Sequence, residues 1–304
     1  MAGSQKVERP VIEGRSAEPL GAFTDSQAER ERRLDIFQVE QPQRNLANLI
    51  LPKEKLEQLR GLLTKVRYQQ VLYEDFGLNS VDPHSGRTAI NFYGPPGTGK
   101  SFAAEAVATE LGMPLIRVNY AELESKYVGE TAKNIQAAFE KAKQSGALLF
   151  FDEADSILGQ RLTQVRQSTD HAVNVSCSVM LLALDRFEGV AIFATNLASN
   201  YDSAFVRRIL GHIEFPLPNA VLRRRLWQQL IPIAYPAELS AEQREKLVRE
   251  SSGLAGADML NVVVNAAASA LEREGRNCRV RLAAFRKAVR QAKRAKAEIG
   301  QGMN

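Results

Sequence analysis

The stretch Gly94-Pro95-Pro96-Gly97-Thr98-Gly99-Lys100-Ser101 constrains this chain more than any other feature. It satisfies G-x-x-x-x-G-K-[ST], and it lies between Ala89-Ile90-Asn91-Phe92-Tyr93, an apolar run that reads as a strand, and a helical pattern over 102–111. A strand, a glycine turn and a helix in that order wrap backbone N–H groups around an anion, with the positive end of the helix dipole behind them. Lys100 is placed to meet the β- and γ-phosphates of a nucleoside triphosphate, and the Ser101 hydroxyl to ligate Mg2+. Phe102, the next residue, is counted with the nucleotide-binding set. An incidental Gly/Pro turn is the alternative, and the flanking strand and helix argue against it.

Around this loop, short apolar runs alternate with longer amphipathic ones. Strands are expected at 115–118, 147–151, 190–194 and 213–215, and helices at 55–72, 131–143 and 174–184. Such alternation argues for a doubly wound α/β domain on a parallel five-stranded sheet. After Pro216-Leu217-Pro218-Asn219 only helical patterns remain, at 220–230, 240–250, 257–273 and 282–297, which read as a small all-helical lid domain. Ser240 with Gln243 resembles a capping box. The expected division is a polar tail over 1–44, the α/β domain over 45–218, the lid over 219–298 and a C-terminal tail over 299–304. The charge cluster Glu29-Arg30-Glu31-Arg32-Arg33 in the tail reads as a solvated segment or as a dock for a peptide or partner.

Two strand ends carry further chemistry. Phe150-Phe151-Asp152-Glu153 closes an apolar strand with two carboxylates, 52 residues after Lys100, at the edge where open α/β sheets bind ligands. Asp152 would hold Mg2+ through water, and Glu153 would orient and deprotonate the attacking water. The alternative is that Asp152-Glu153-Ala154-Asp155 caps the next helix. Asn196, after Ala194-Thr195, would bond the attacking water or the γ-phosphate, or cap a helix. Asn119, ending the second strand of the domain, would hold Glu153 in an idle rotamer, with capping again the alternative.

Composition excludes several other classes. Lys and Arg number 40 against 35 Asp and Glu, a net charge of +5 that by itself does not argue for nucleic acid. The two cysteines, Cys177 and Cys278, cannot form a disulfide framework, and no two of His84, His171 and His212 are spaced as a zinc-protease pair. The N-terminus lacks an apolar signal core, and no run approaches the roughly 18 apolar residues of a membrane span. A cytoplasmic location with no membrane partner is the default expectation.

The combination GPPGTGKS, LLFFDEAD and FATN resembles the AAA+ ATPases of the classical protein-remodelling branch, over about residues 46–298. The resemblance implies an Mg2+- and ATP-dependent hydrolase, a nucleotide held between the α/β domain and the lid, a homohexameric ring and a protein substrate. It implies a substrate-gripping pore loop at Lys126, Tyr127 and Val128, where an aromatic offers contact area without sequence selectivity; a core tyrosine is the alternative. A second pore loop would lie near 159–171, with Arg161 and Arg166. Asp185-Arg186-Phe187 matches an intersubunit signalling segment whose middle residue is usually Gly. Arg207 and Arg208, 11 and 12 residues beyond Asn196, match arginine fingers donated to a neighbouring subunit, with surface charge as the alternative.

Asp202-Ser203-Ala204-Phe205 and the +12 spacing are similar to the HORMA-domain remodellers, which favours Arg208 and raises a HORMA-like substrate. Gly256-Ala257-Asp258 departs from that sub-family, whose lid carries an arginine at Ala257, and is similar instead to the classical branch, with Gly256 and Ala257 beside the nucleotide. Residues 271–304 hold ten Lys and Arg against Glu272, Glu274 and Glu298, a basic face for DNA or for the next subunit. No groove-reading motif accompanies it, so nucleic acid is disfavoured. The rivals to a protein remodeller are a DNA-loading ATPase and the unfolding partner of a separate protease. The end Gly300-Gln301-Gly302-Met303-Asn304 lacks the hydrophobic-Tyr-x tail of proteasomal motors, which demotes the protease reading.

Overall fold

The computed structural model describes residues 27–81, 88–119, 123, 130–158, 168–196 and 201–301. Its strands are β1 (Val39–Glu40), β2 (Ala89–Tyr93), β3 (Leu115–Asn119), β4 (Leu148–Asp152), β5 (Ala191–Thr195) and β6 (Ile209–Glu214), in the sheet order β1-β3-β4-β5-β2-β6. The strands from β2 to β6 are all parallel, as expected. The sheet nevertheless has six strands rather than five. β1, from within the segment expected to be a polar tail, pairs antiparallel with β3 through Val39 and Ile116 and covers that open edge. The helix Gln27–Asp35 before it docks on the helix Glu130–Ser145: Arg33 pairs with Glu130 at 2.8 Å and Asn134 at 3.0 Å, and Arg30 pairs with Glu140. Phe37, between this helix and β1, is buried in the core.

β4 is apolar at four of five positions because both faces are covered. Leu149, Phe151 and Phe193 face the helices Glu130–Ser145 and Ser168–Arg186, with Phe151 and Phe193 stacked at 5.0 Å. Ile90, Phe92, Phe150 and Ile192 lie on the other face, against the helix Lys100–Leu111. Each such buried side chain contributes about 1.5–3 kcal/mol, so the strand ends that carry the site rest on the best-packed part of the chain.

One buried polar contact interrupts this core. Asn91, fully buried in β2, donates its amide to His212 Nδ1 of β6 at 3.2 Å, and the Tyr201 ring lies 5.8 Å from the imidazole. Burial lowers the His212 pKa from 6.5, and the donated bond favours the neutral ring. The unfolded chain therefore takes up this proton at a higher pH than the folded one. Stability from this group is full above about pH 6.5 and is lost as pH falls toward the lower folded value. The melting temperature is expected to drop between pH 7.5 and 5.5, and His212→Asn is expected to flatten that slope; an unchanged slope would assign the acid sensitivity elsewhere.

The lid is built from the helices Ala220–Leu230, Ala241–Glu250, Gly256–Glu274 and Leu282–Gln301. It has its own core, in which Trp227 meets Phe285 edge-on at 6.0 Å. The Ser240–Gln243 capping box is present in both directions. The lid is not wholly helical: β7 (Ala237–Glu238) and β8 (Val280–Arg281) form a parallel pair that ties the loops before its second and fourth helices together. Buried Arg223 donates to the carbonyls of Pro218 at 2.7 Å and Val248 at 2.8 Å, anchoring the connector from the sheet to the lid. Among the described residues, no helix is long and apolar enough to cross a membrane.

Candidate functional site

The ends of β4, β5 and β2, three neighbours in the parallel sheet, converge on the glycine loop. Gly94 leaves β2 at φ 135°, and a Cβ there would stand 2.3 Å from the Phe215 carbonyl oxygen, so only glycine fits. The loop is braced from within, Thr98 Oγ1 donating to Pro95 O at 2.8 Å, and passes through Gly99 into the helix Lys100–Leu111.

Lys100 is only 8% exposed. Its ammonium donates to Gly94 O at 2.7 Å, Pro95 O at 3.0 Å and Asn196 Oδ1 at 2.9 Å. Those three bonds satisfy the head group completely. Burial pulls its pKa down, while the charges of Asp152 and Asp155 act in the opposite direction. Ser101 Oγ donates to Asp152 Oδ2 at 2.9 Å. A hydroxyl and a carboxylate in contact are hard oxygen donors of the kind that hold Mg2+ together with substrate phosphates. Among the described residues no group of three or more His, Cys, Asp or Glu could hold a metal ion.

Glu153 has φ 53°, the only positive φ outside glycine among the described residues. Such a conformation costs about 1–3 kcal/mol and persists because its neighbours fix it. Here Glu153 N–H donates to Asp152 Oδ1 at 3.1 Å, and Ala154 N–H to Ala194 O at 2.8 Å. The strain lies on the residue that the sequence marks as the base.

The lid closes the other side. Ala257 N–H donates to Gly97 O at 3.0 Å, and a Cβ on Gly97 would come within 3.0 Å of the Ala257 Cβ. Gln229 donates to Asn48 O at 3.1 Å across the cleft. The cleft between them measures about 500 Å³, in the usual range of about 300–1,000 Å³ for small-ligand sites. It has two ends: polar around Lys100, Ser101, Asp152, Glu153 and Asn196, and mainly apolar around Leu49, Ile50, Leu226, Leu230 and Leu260. That polarity suits a base at one end and phosphates at the other.

Pro96, Gly97, Thr98, Gly99, Phe102, Gly256 and Ala257 also line this cleft. Asn119 stands opposite Asp152 in the β3–β4 ladder and is not among the lining residues. Arg207 and Arg208 are not either: Arg207 is exposed, and Arg208 makes a two-pronged ion pair with Asp185 at 2.7 and 2.8 Å, with a further bond to Ala204 O. Lys126, Tyr127, Val128, Arg161 and Arg166 lie outside the described residues. The sequence reading missed the apolar end, whose residues look like ordinary core positions. It also missed Arg117, which lies 3.9 Å from Asp152 and over the Phe150 ring at 5.4 Å. A cation inside an apolar strand was the available signal.

A buried cation, a hydroxyl–carboxylate pair and a helix N-terminus, gathered where three parallel strands end, form a P-loop cradle whose chemistry suits a polyphosphate. Residues 90–217 match the family described as ATPase family associated with various cellular activities (AAA). An AAA family ATPase of Sinorhizobium fredii, y4kL, itself uncharacterized, is 33% identical over 230 residues, covering 73% of this chain and 64% of that protein. The proteasome-activating nucleotidase of Saccharolobus islandicus is 32% identical over 249 residues, covering 79% of this chain and 60% of that protein. The chain thus spans less than two thirds of each of these relatives. In fold it is similar to the FIGL-1 AAA domain solved in complex with ADP, with a TM-score of 0.68 at 20% identity over 90% of this chain and 92% of that one. The match over residues 90–217 and these relatives place the chain with the AAA ATPase family, nearest in kind to its classical members.

Proposed function

We propose that this chain binds and hydrolyses Mg2+-ATP within a homohexameric ring and uses the free energy to remodel or partly unfold a protein drawn through a central pore. The observation that carries the hydrolytic part is the meeting of Lys100, Ser101, Asp152, Glu153 and Asn196 in the lining of one cleft. Lys100 exchanges its loop carbonyls for phosphate oxygens. Ser101 and Asp152 would hold Mg2+, which would supply positive charge beside the phosphates. Glu153 orients the attacking water and accepts its proton, and Asn196 bonds the γ-phosphate or that water.

The remodelling part rests on the likeness to a proteasome-activating nucleotidase and on the Lys126-Tyr127-Val128 motif. A HORMA-like substrate is not part of the proposal. The stretch that raised it is accounted for locally, because Asp202 caps the helix Ser203–Val206 by accepting from Ala204 N–H at 2.8 Å, and Phe205 fills the core.

Tyr127→Ala tests the pore. Basal hydrolysis is expected to stay within about three-fold of wild type, since no phosphate contact is lost, while unfolding of a test protein and its stimulation of hydrolysis collapse. A variant that melts early and loses every activity would mark Tyr127 as core. Stimulation by DNA instead of protein, unaffected by the substitution, would favour the loading ATPase.

A further inference from the structure

The helix Asp155–Leu158 follows the Glu153 turn, and its first side chain is not among those that line the cleft. Both hydrogen bonds that its carboxylate accepts come from the end of β5. Thr195 Oγ1 donates to Asp155 Oδ1, and Asn196 N–H donates to the same oxygen at 2.8 Å. Among the described residues none comes from its own helix, so the bonds Asp155 makes run to the neighbouring strand. β5 ends at Thr195, and its N–H ladder ends with it; Asp155 supplies the acceptor that the next residue would otherwise lack. Thr195 is fully buried, and its hydroxyl takes the same partner. One residue earlier the Ala154–Ala194 bond fastens the same two segments. Asn196, so held, presents its amide oxygen to Lys100 at 2.9 Å.

From this geometry we propose that Asp155 is a positioning residue for hydrolysis: it pins the backbone of Asn196 so that the amide stands beside Lys100, where the γ-phosphate must lie. The Glu153 turn and Asn196 thereby form one rigid unit, and the water-activating and phosphate-sensing groups keep a fixed separation. The inference rests on the role of Asn196 proposed above.

In the full chain, Asp155→Ala is expected to lower kcat about 10- to 100-fold with KM for ATP within about three-fold, as for the loss of one preorganised contact to the transferred group. Binding of ADP with aluminium fluoride, a mimic of the phosphoryl group in transfer, is expected to weaken about ten-fold while ADP alone binds unchanged. The double variant Asp155→Ala/Asn196→Ala is expected to be no slower than Asn196→Ala alone, because both remove one interaction. Asp155→Asn, which keeps an oxygen in place, is expected to recover most of the rate.

Additive losses in the double variant, or an Asp155→Asn protein as slow as the alanine one, would overturn the inference; the second result would make the charge near Lys100 the operative feature. If Asp155→Ala does not fold, Thr195→Val decides: its loss of rate must vanish when Asn196 is already alanine, and a loss that persists overturns the inference. If Asn196→Ala itself leaves kcat unchanged, the reading of the site falls and the inference with it. If Asn196→Ala slows hydrolysis and Asp155→Ala does not, the inference alone falls.

Discussion

Replacing Glu153 by Gln is expected to leave ATP binding within a few-fold of wild type and to slow hydrolysis by about 10²–10⁴-fold, the usual contribution of a positioned general base. The amide keeps the shape and hydrogen-bonding reach of the carboxylate but cannot accept a proton. In the proposed site the phosphate contacts fall to Lys100 and the loop glycines, so affinity is expected to survive. Lys100→Ala should behave in the opposite way. That change removes a buried cation and leaves three of its acceptors, the carbonyls of Gly94 and Pro95 and the Asn196 amide oxygen, without their donor. Nucleotide affinity itself is then lost. Single-turnover hydrolysis and displacement of a fluorescent nucleotide separate the two variants. A Glu153→Gln protein that turns over at near the wild-type rate would make the strained turn at φ 53° a structural feature and require another base.

Much of this site could be read directly from the sequence, because its chemistry demands particular residue types at fixed spacings. No other residue can replace Gly94 beneath the Phe215 carbonyl, and a lysine at the start of a helix behind such a turn has one obvious partner. The central strands were legible for a related reason: β4, covered on both faces, must be apolar up to the Asp152 that ends it. The edge was not. β1 is two residues long with both side chains exposed, so it carries no alternation, and the helix before it buries none of its side chains. Its docking rests on the half-buried Leu34 together with Arg33 and Arg30, and charged residues in a polar segment look the same whether they are paired or solvated. The lid strands β7 and β8, two residues each, escaped notice for want of any period. Asp155 entered the sequence reading only within a stretch whose alternative role was to cap the next helix. At the start of a helix an aspartate looks like a cap, and only the fold reveals that its bonds run to the neighbouring strand.

Arg208→Ala is expected to cost the most, about 10³–10⁵ in turnover if Arg208 is the finger that reaches a neighbour's γ-phosphate. Its ion pair with Asp185 does not argue against that role, as the magnitudes make clear. The two side chains are 29% and 43% exposed, and a surface pair of this kind contributes about 0–1 kcal/mol. A rate factor of 10³–10⁵ corresponds to about 4–7 kcal/mol, several times what releasing Asp185 costs. Arg207 needs no such release, being exposed, and Arg207→Ala is the necessary comparison. If Arg208 is the finger, Arg207→Ala loses far less; if Arg207→Ala loses more, the assignment moves to the +11 position. A finger that acts in trans also predicts rescue. In a ring mixed equally from Arg208→Ala and Lys100→Ala subunits, about a quarter of the sites pair an intact phosphate loop with an intact finger, because a head-to-tail interface draws the two from different chains. Mixing two inactive proteins should therefore restore part of the hydrolysis, rising with total protein concentration as rings form. Two inactive preparations that stay inactive when mixed, under conditions where light scattering shows mixed rings, would place the second cation of this site within one chain and remove the shared interface from the mechanism.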